Sequence, residues 1–225
     1  MQRIRNDMGL LPGTFVMPSG LIKPSLLRTP NLRMRLEWYR LKKKWRALQG
    51  CITYKFLLKS RPWPKLRRGT IAPEAKRLYE TMYTAFADGD MATLESICHE
   101  GLLASFGTRI NVRPPKESLQ WTLHKYIGFS RIVSTNIVSL GIEESALYQV
   151  VVKIRSMQSL ERTPTNGVAS DTTEAKKMVE YVVLQRMMLR GKEGRWKIWG
   201  TIEESKVEDV LGDDAVVATP VVGKQ

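Results

Sequence analysis

Between residues 33 and 46 the chain sets seven cations, Arg33, Arg35, Arg40, Lys42, Lys43, Lys44 and Arg46, around Trp38 and Trp45, with Glu37 the lone acid. Guanidinium and ammonium groups neutralise phosphates, and indole rings stack on bases or settle among lipid headgroups. The chemistry this grouping can do is the binding of a polyanion. A second basic run, Lys59 to Arg68, adds Arg61, Lys65, Arg67 and Arg68 on a stretch stiffened by Pro62 and Pro64.

Residues able to make or break bonds are few. There is no Gly-rich phosphate loop, no Gly-x-Ser-x-Gly and no His-Glu-x-x-His. His99 follows Cys98, but sequence neighbours at a helix end do not form a nucleophile–base dyad, and an ordinary surface histidine is the expectation. His124 falls in an expected strand, where packing on the sheet surface outweighs a role as a general base in a pocket. Glu143 and Glu144 are adjacent and would point to opposite faces of a strand. Two cysteines, Cys51 and Cys98, and two histidines supply no disulfide framework and no metal site. No catalytic residue, metal or cofactor is expected, and the chain reads as a binding protein and not an enzyme.

The charge is divided along the chain. Residues 1–70 hold 17 Lys+Arg against two acids, a surplus of 15, while the remainder holds 19 basic and 20 acidic residues. A nearly neutral body behind a cationic arm fits a fold that presents a grip for RNA or for an acidic membrane surface. No stretch approaches the roughly 18 uninterrupted apolar residues needed to span a bilayer.

The elements that must position the arm follow from periodicity. Residues 9–31 punctuate single apolar residues with Pro12, Pro18, Pro24 and Pro30, so they cannot form one long helix and are read either as an extension lying along another surface or as a plain disordered tail. The acid-free stretch from Met8 to Leu36 is read either as part of a mitochondrial targeting segment or as an arm retained on the mature protein. Met34, Trp38, Leu41, Trp45, Leu48 and Ile52 then recur at 4-3-4-3-4 spacing, which predicts an amphipathic helix over about 32–59. Either this stripe docks on the body with the charges solvated, or both faces are used. Gly50 is expected to kink or end the helix.

The body is expected to begin near residue 70. Pro73 and Glu74 are placed in the first turn of a helix whose buried face carries Ala75, Leu78, Tyr79, Met82, Tyr83 and Phe86. Gly89 stops it and Asp90 caps a short helix with Met91, Leu94, Ile97 and Cys98, before a third piece over Glu100–Thr108. Strands follow at Gln120–Phe129, Ile132–Leu140, Leu147–Arg155, Met178–Leu189 and Arg195–Ile202, with Ser156–Lys177 read as a long hairpin loop or an exposed excursion. Trp196 and Ile198 are assigned to one face of the last strand and Trp199 to the other. The expected fold class is α+β: helices packed on a curved, cone-like antiparallel sheet. The expected organisation is an arm over 1–69, the α+β domain over 70–203 and an acidic tail over 204–225.

The run from Ala72 to Leu94, with Asp88-Gly89-Asp90, followed by Ile97–Phe106 and closed by Arg195-Trp-Lys-Ile-Trp-Gly-Thr201, resembles the Tim-forty-four-like domain family over about residues 70–203. The short, proline-punctuated, Trp-bearing arm is most similar to the branch holding the mitochondrial large-ribosomal-subunit protein forty-five and the fungal mitoribosome receptor. That resemblance implies a non-enzymatic component or receptor of the mitochondrial large ribosomal subunit, in the matrix and peripheral to the inner membrane. The implied partners are large-subunit rRNA, neighbouring ribosomal proteins, and the membrane surface or an insertase, with no small-molecule substrate. The rRNA or anionic-surface contacts would be the eleven basic residues named above, with Trp38 and Trp45 at a membrane or groove. A peripheral adaptor of the protein-import-motor type is the alternative.

Overall fold

The computed structural model describes residues 8–20, 23–57, 68–114, 118–140, 145–163, 171–172, 174–190 and 192–207. Four helices precede a strongly curled antiparallel sheet: α1 Pro30–Leu57, α2 Arg68–Asp88, α3 Met91–Ile97 and α4 Glu100–Asn111. The strands are β1 Ser118–Tyr126, β2 Arg131–Ser139, β3 Ala146–Thr163, β4 Asp171–Thr172, β5 Lys176–Leu189, β6 Lys192–Glu193 and β7 Lys197–Ile202. The α+β class and the helix-on-curved-sheet arrangement expected from the sequence are both present.

The 18-residue β3 is the spine of the sheet. Its first half pairs with β2 and its second half with β1, while β5 runs along its other side and carries β7. Tyr148, Val150, Val152 and Ile154 project into the concave face, where they meet Val182, Leu184, Met188 and Ile198 and the buried side of α2. Ala75, Leu78, Tyr79 and Met82 come from that helix, and Leu94, Ile97 and Phe106 from the next two. Asp90 caps α3 by accepting from the Ala92 and Thr93 amides, and Gly89, at φ +74°, turns the chain into it.

The convex face is buried as well, which accounts for the weak alternation of the strands. Val16 of the proline-punctuated segment packs on Val151, Tyr181 and Val183, with Val133, Trp199 and Ile202 at the margin. Buried Gln149 accepts from the Leu11 amide at 2.9 Å and donates to the Gly9 carbonyl at 3.1 Å, so an extended chain is stitched across the sheet by an amide that would otherwise be an unpaired buried polar group. At the far end the Val16 carbonyl accepts from the Ser205 amide, and Ser19 donates from its amide and hydroxyl to Glu204. Burial alone would raise the Glu204 carboxyl, but bonds from Ser19 and Tyr181 outweigh it and hold it below its usual range.

Four local expectations are corrected. The helix does not stop or break at Gly50; α1 runs through it because that turn lies on β2, beside Ile137, and packing outweighs a propensity cost of about 1 kcal/mol. Pro73 is interior to α2, which starts five residues earlier; the carbonyl that loses its partner is that of exposed Gly69, at the helix end. The third piece of the helical half continues three residues past Thr108, to Asn111. Ser156–Thr163 is strand, not loop, because β1 pairs with it; its Ser156 and Gln158 side chains bond across the core to the Tyr79 hydroxyl of α2. Residues Glu143, Glu144, 164–170 and 208–225 lie outside the described residues.

Candidate nucleic-acid and membrane interface

Helix α1 docks by the side that the amphipathic reading did not select. Leu36 is fully buried and Tyr39 and Cys51 nearly so, and Leu36 and Tyr39 form a small core with Phe15. The Phe15 and Tyr39 rings meet edge to face at 5.1 Å. Lys43 lies over the Tyr39 ring at 4.8 Å. The 4-3-4-3-4 stripe points away from the protein: Trp38 is 69% exposed and Trp45 61%, and Met34, Leu41, Leu48 and Ile52 are all exposed. At 3.6 residues per turn the stripe centres roughly 160° from Leu36, on the opposite side of the cylinder. The docked-stripe alternative is therefore excluded: the helix docks by its other side and leaves the stripe on the surface.

The cations sort onto the two flanks between these faces. Arg35, Lys42 and Arg46 share one flank, and Arg40 and Lys44 share the other, so the apolar stripe is bordered on both sides by positive charge. Arg33 is buried, its guanidinium donating to Glu37 at 2.5 Å, and it braces the helix instead of facing solvent. Glu37 also accepts from Arg40 at 3.2 Å. Arg61, Lys65 and Arg67 lie outside the described residues, as does the side chain of Arg68.

Elsewhere several titratable groups are engaged within the fold. Glu180 accepts from the hydroxyls of Tyr79 and Tyr83, and Gln158 from Tyr79 and the Trp121 indole. Burial first, then the hydrogen bond to Glu180 and its charge, push both phenols far above their ordinary range. His124 is exposed at a bulge in β1, with its Nε2 at 2.9 Å from the Ser159 hydroxyl, and does not enter the concave face. His99, expected at the surface, is instead buried at the start of α4, its amide donating to the Ile198 carbonyl at 2.9 Å. Among the described residues no group of three or more His, Cys, Asp or Glu could hold a metal. No helix among them is long and apolar enough to cross a membrane.

Cys98 is 2% exposed, and burial pushes its thiol up to about 12. At pH 8 only about one thiol in ten thousand would be ionised, against roughly a quarter for an unperturbed cysteine. Its reaction with a thiol reagent at that pH is expected to be slower by about three orders of magnitude in the folded protein than in denaturant. Peptide mapping of the labelled cysteine checks this, and rapid native labelling of Cys98 would contradict the buried placement.

Sequence periodicity located the stripe and the cations but not the clasp of Phe15, Leu36 and Tyr39, since nothing in their spacing links residue 15 to residue 36. Arg131 and Lys153, which the fold brings beside α1, were likewise missed because they are isolated basic residues on strands.

A protein-family model described as MBA1-like protein matches residues 15–224 of the chain. The expected Tim-forty-four-like link is not shown by comparison with known proteins. No curated protein matches the sequence. Among solved structures, the intermembrane-space region of the chloroplast protein ARC6 is similar at 14% identity and a TM-score of 0.41, covering 62% of this chain and 97% of that one. A putative dehydratase of the NTF2-like family from Streptomyces avermitilis is similar at 18% identity and a TM-score of 0.25, covering 59% and 94%. At those scores neither likeness bears on function.

Proposed function

The chain belongs to the MBA1-like protein family, which is mitochondrial, membrane-associated and ribosome-related, and from that premise we propose that it is a non-enzymatic adaptor holding the large ribosomal subunit at the inner membrane during protein insertion. The observation that carries the reading is the orientation of α1: its docked side is Leu36, Tyr39 and Cys51, so the Trp/Leu stripe and both cationic flanks stay on the surface. An apolar stripe bordered by cations suits a helix lying in the plane of an acidic bilayer surface. Each well-buried apolar side chain would contribute roughly 1.5–3 kcal/mol and each cation near the surface on the order of 1 kcal/mol. The flank of Arg35, Lys42 and Arg46, together with the basic run through Arg61, Lys65, Arg67 and Arg68, is the part we assign to rRNA phosphates. A helix in this position would lie between ribosome and lipid, with one flank for each.

The test is co-sedimentation of the full chain with mitochondrial large ribosomal subunits across a salt series. Reversing Arg35, Lys42 and Arg46 to Glu is expected to lower binding at least tenfold. It should also make the log–log salt dependence shallower by about 2–3, the slope carried by three phosphate contacts. The melting temperature should stay close to that of the parent, since none of the three is buried. Unchanged co-sedimentation with unchanged salt slope would refute the rRNA assignment.

A further inference from the structure

Two cavities of about 350 and 330 Å³ adjoin between α1, β2 and the extended segment, sharing Phe15, Arg40, Lys44, Ile132 and Val133 in their walls. Six cations from four segments line this groove: Lys23 before α1, Arg40, Lys43 and Lys44 of α1, Arg131 at the start of β2, and Lys153 of β3. The two nearby acids are already committed. Glu37 bonds Arg33 and Arg40, and Glu204 accepts from Ser19 and Tyr181. Lys153 lies over the Tyr181 ring at 5.0 Å. Burial first, then Arg131 and Arg155, push its ammonium below the usual range, against the pull of Glu204. Positive charge is thus crowded in a recess where an anion would relieve it.

From this arrangement we infer that the groove is a binding site for the phosphate of an acidic phospholipid headgroup. Leu48 decides between lipid and nucleic acid: it is a wall of the groove and also a member of the exposed stripe. A helix lying in the interface buries its apolar face about 5–10 Å into the headgroup–acyl boundary, which brings a recess on its flank level with the phosphates. Nucleic acid explains the stripe poorly, because Met34, Leu41, Leu48 and Ile52 offer no aromatic face for a base. The inference rests on the reading above that the stripe meets the bilayer.

The experiment uses the full chain, following flotation and tryptophan fluorescence with phosphatidylcholine vesicles with and without phosphatidylglycerol. Lys44→Gln with Arg131→Gln is expected to weaken binding to phosphatidylglycerol vesicles about tenfold or more. Arg35→Gln with Lys42→Gln removes the same charge from the opposite flank and is expected to have a clearly smaller effect. Equal losses from the two pairs would overturn the site, since diffuse attraction alone would then account for binding. Inorganic phosphate binding that is lost in the groove pair while vesicle binding in that pair is unchanged would assign the groove to free phosphate and overturn the lipid source. A short RNA whose binding fails in the groove pair while vesicle binding persists would overturn it in favour of nucleic acid. Melting temperatures matched to the parent show that both pairs fold.

Ribosome co-sedimentation keeps the two readings apart. The groove pair is expected to sediment with large subunits as the parent does, and its failure to do so would place the groove on the ribosome side and overturn the inference. A parent chain that sediments with ribosomes yet ignores phosphatidylglycerol vesicles would sink the lipid site and leave the rRNA assignment standing.

Discussion

Ile198→Ala is expected to lower the free energy of unfolding by about 2–5 kcal/mol, the range for truncating a fully buried branched side chain that leaves a cavity behind. Ile198 has no exposed surface and sits where the helical half joins the sheet. Its carbonyl accepts from the His99 amide, and its backbone bridges to Cys98 at the end of α3. The neighbouring backbone is held by these bonds and by pairing with Leu184, so it cannot relax freely into the void. Trp196 shares the concave side but is only half-buried, its ring on Tyr148 at 5.2 Å and under the Arg186 guanidinium at 4.6 Å. Trp196→Ala should therefore cost less than its size implies. Trp199→Ala loosens the outer cluster around Val16 and Val183 and leaves the concave core packed. Urea unfolding with an unchanged slope reads these effects as stability. A harmless Ile198→Ala beside a severe Trp199→Ala would mean that the strand's faces are interchanged.

Leu36→Asp is expected to release α1 from the sheet while the concave core stays folded. The Leu36 side chain is fully buried against Phe15 and Tyr39, with Met17 and Val207 at the edge, and this small cluster is separate from the main core. A carboxylate placed there is desolvated against the Phe15 and Tyr39 rings. Several kcal/mol of local penalty exceeds what one small cluster supplies, so the helix should detach before the domain unfolds. Hydrogen exchange should quicken across α1 and residues 11–19 and stay slow in β3 and β5. Limited proteolysis should cut within 30–57 in the variant and spare the parent. Ribosome and vesicle binding should both fall, because a freed helix pays ordering entropy on every encounter. Slow exchange in α1 of the variant would show that the clasp is not what holds the helix.

The elements of the body were legible because each carried a local signal. Gly89 and Asp90 mark a helix end and a cap that depend on their own backbone and side-chain chemistry. The buried positions of α2 recur at helical spacing, and the face assignments of Tyr148, Val150, Val152 and Ile154 follow from the two-residue period of a strand. Errors arose where a distant partner overrode the local signal. Gly50 stays helical because β2 lies against it, and Ser156–Thr163 stays extended because β1 pairs with it. The polar composition of that strand reads as loop because its partner, the Tyr79 hydroxyl of α2, is some eighty residues earlier.

The interface divides in the same way. Spacing alone determined that residues 34–52 carry an apolar stripe, that cations surround it, and that their charge is not balanced nearby. Which side of the helix meets the protein was beyond it, because a helical apolar period favours docking the stripe and says nothing of what already covers the sheet. The tertiary structure decided this through residues 9–19, which cover the convex face and present Phe15 as the seat for Leu36 and Tyr39. With that seat filled by the less apolar side of the helix, the stripe is left outward. Arg131 and Lys153 come into line with Arg40 and Lys44 by the same packing. A period along the chain records which residues share a face, whereas the choice of what that face touches is made by contacts between segments a hundred residues apart.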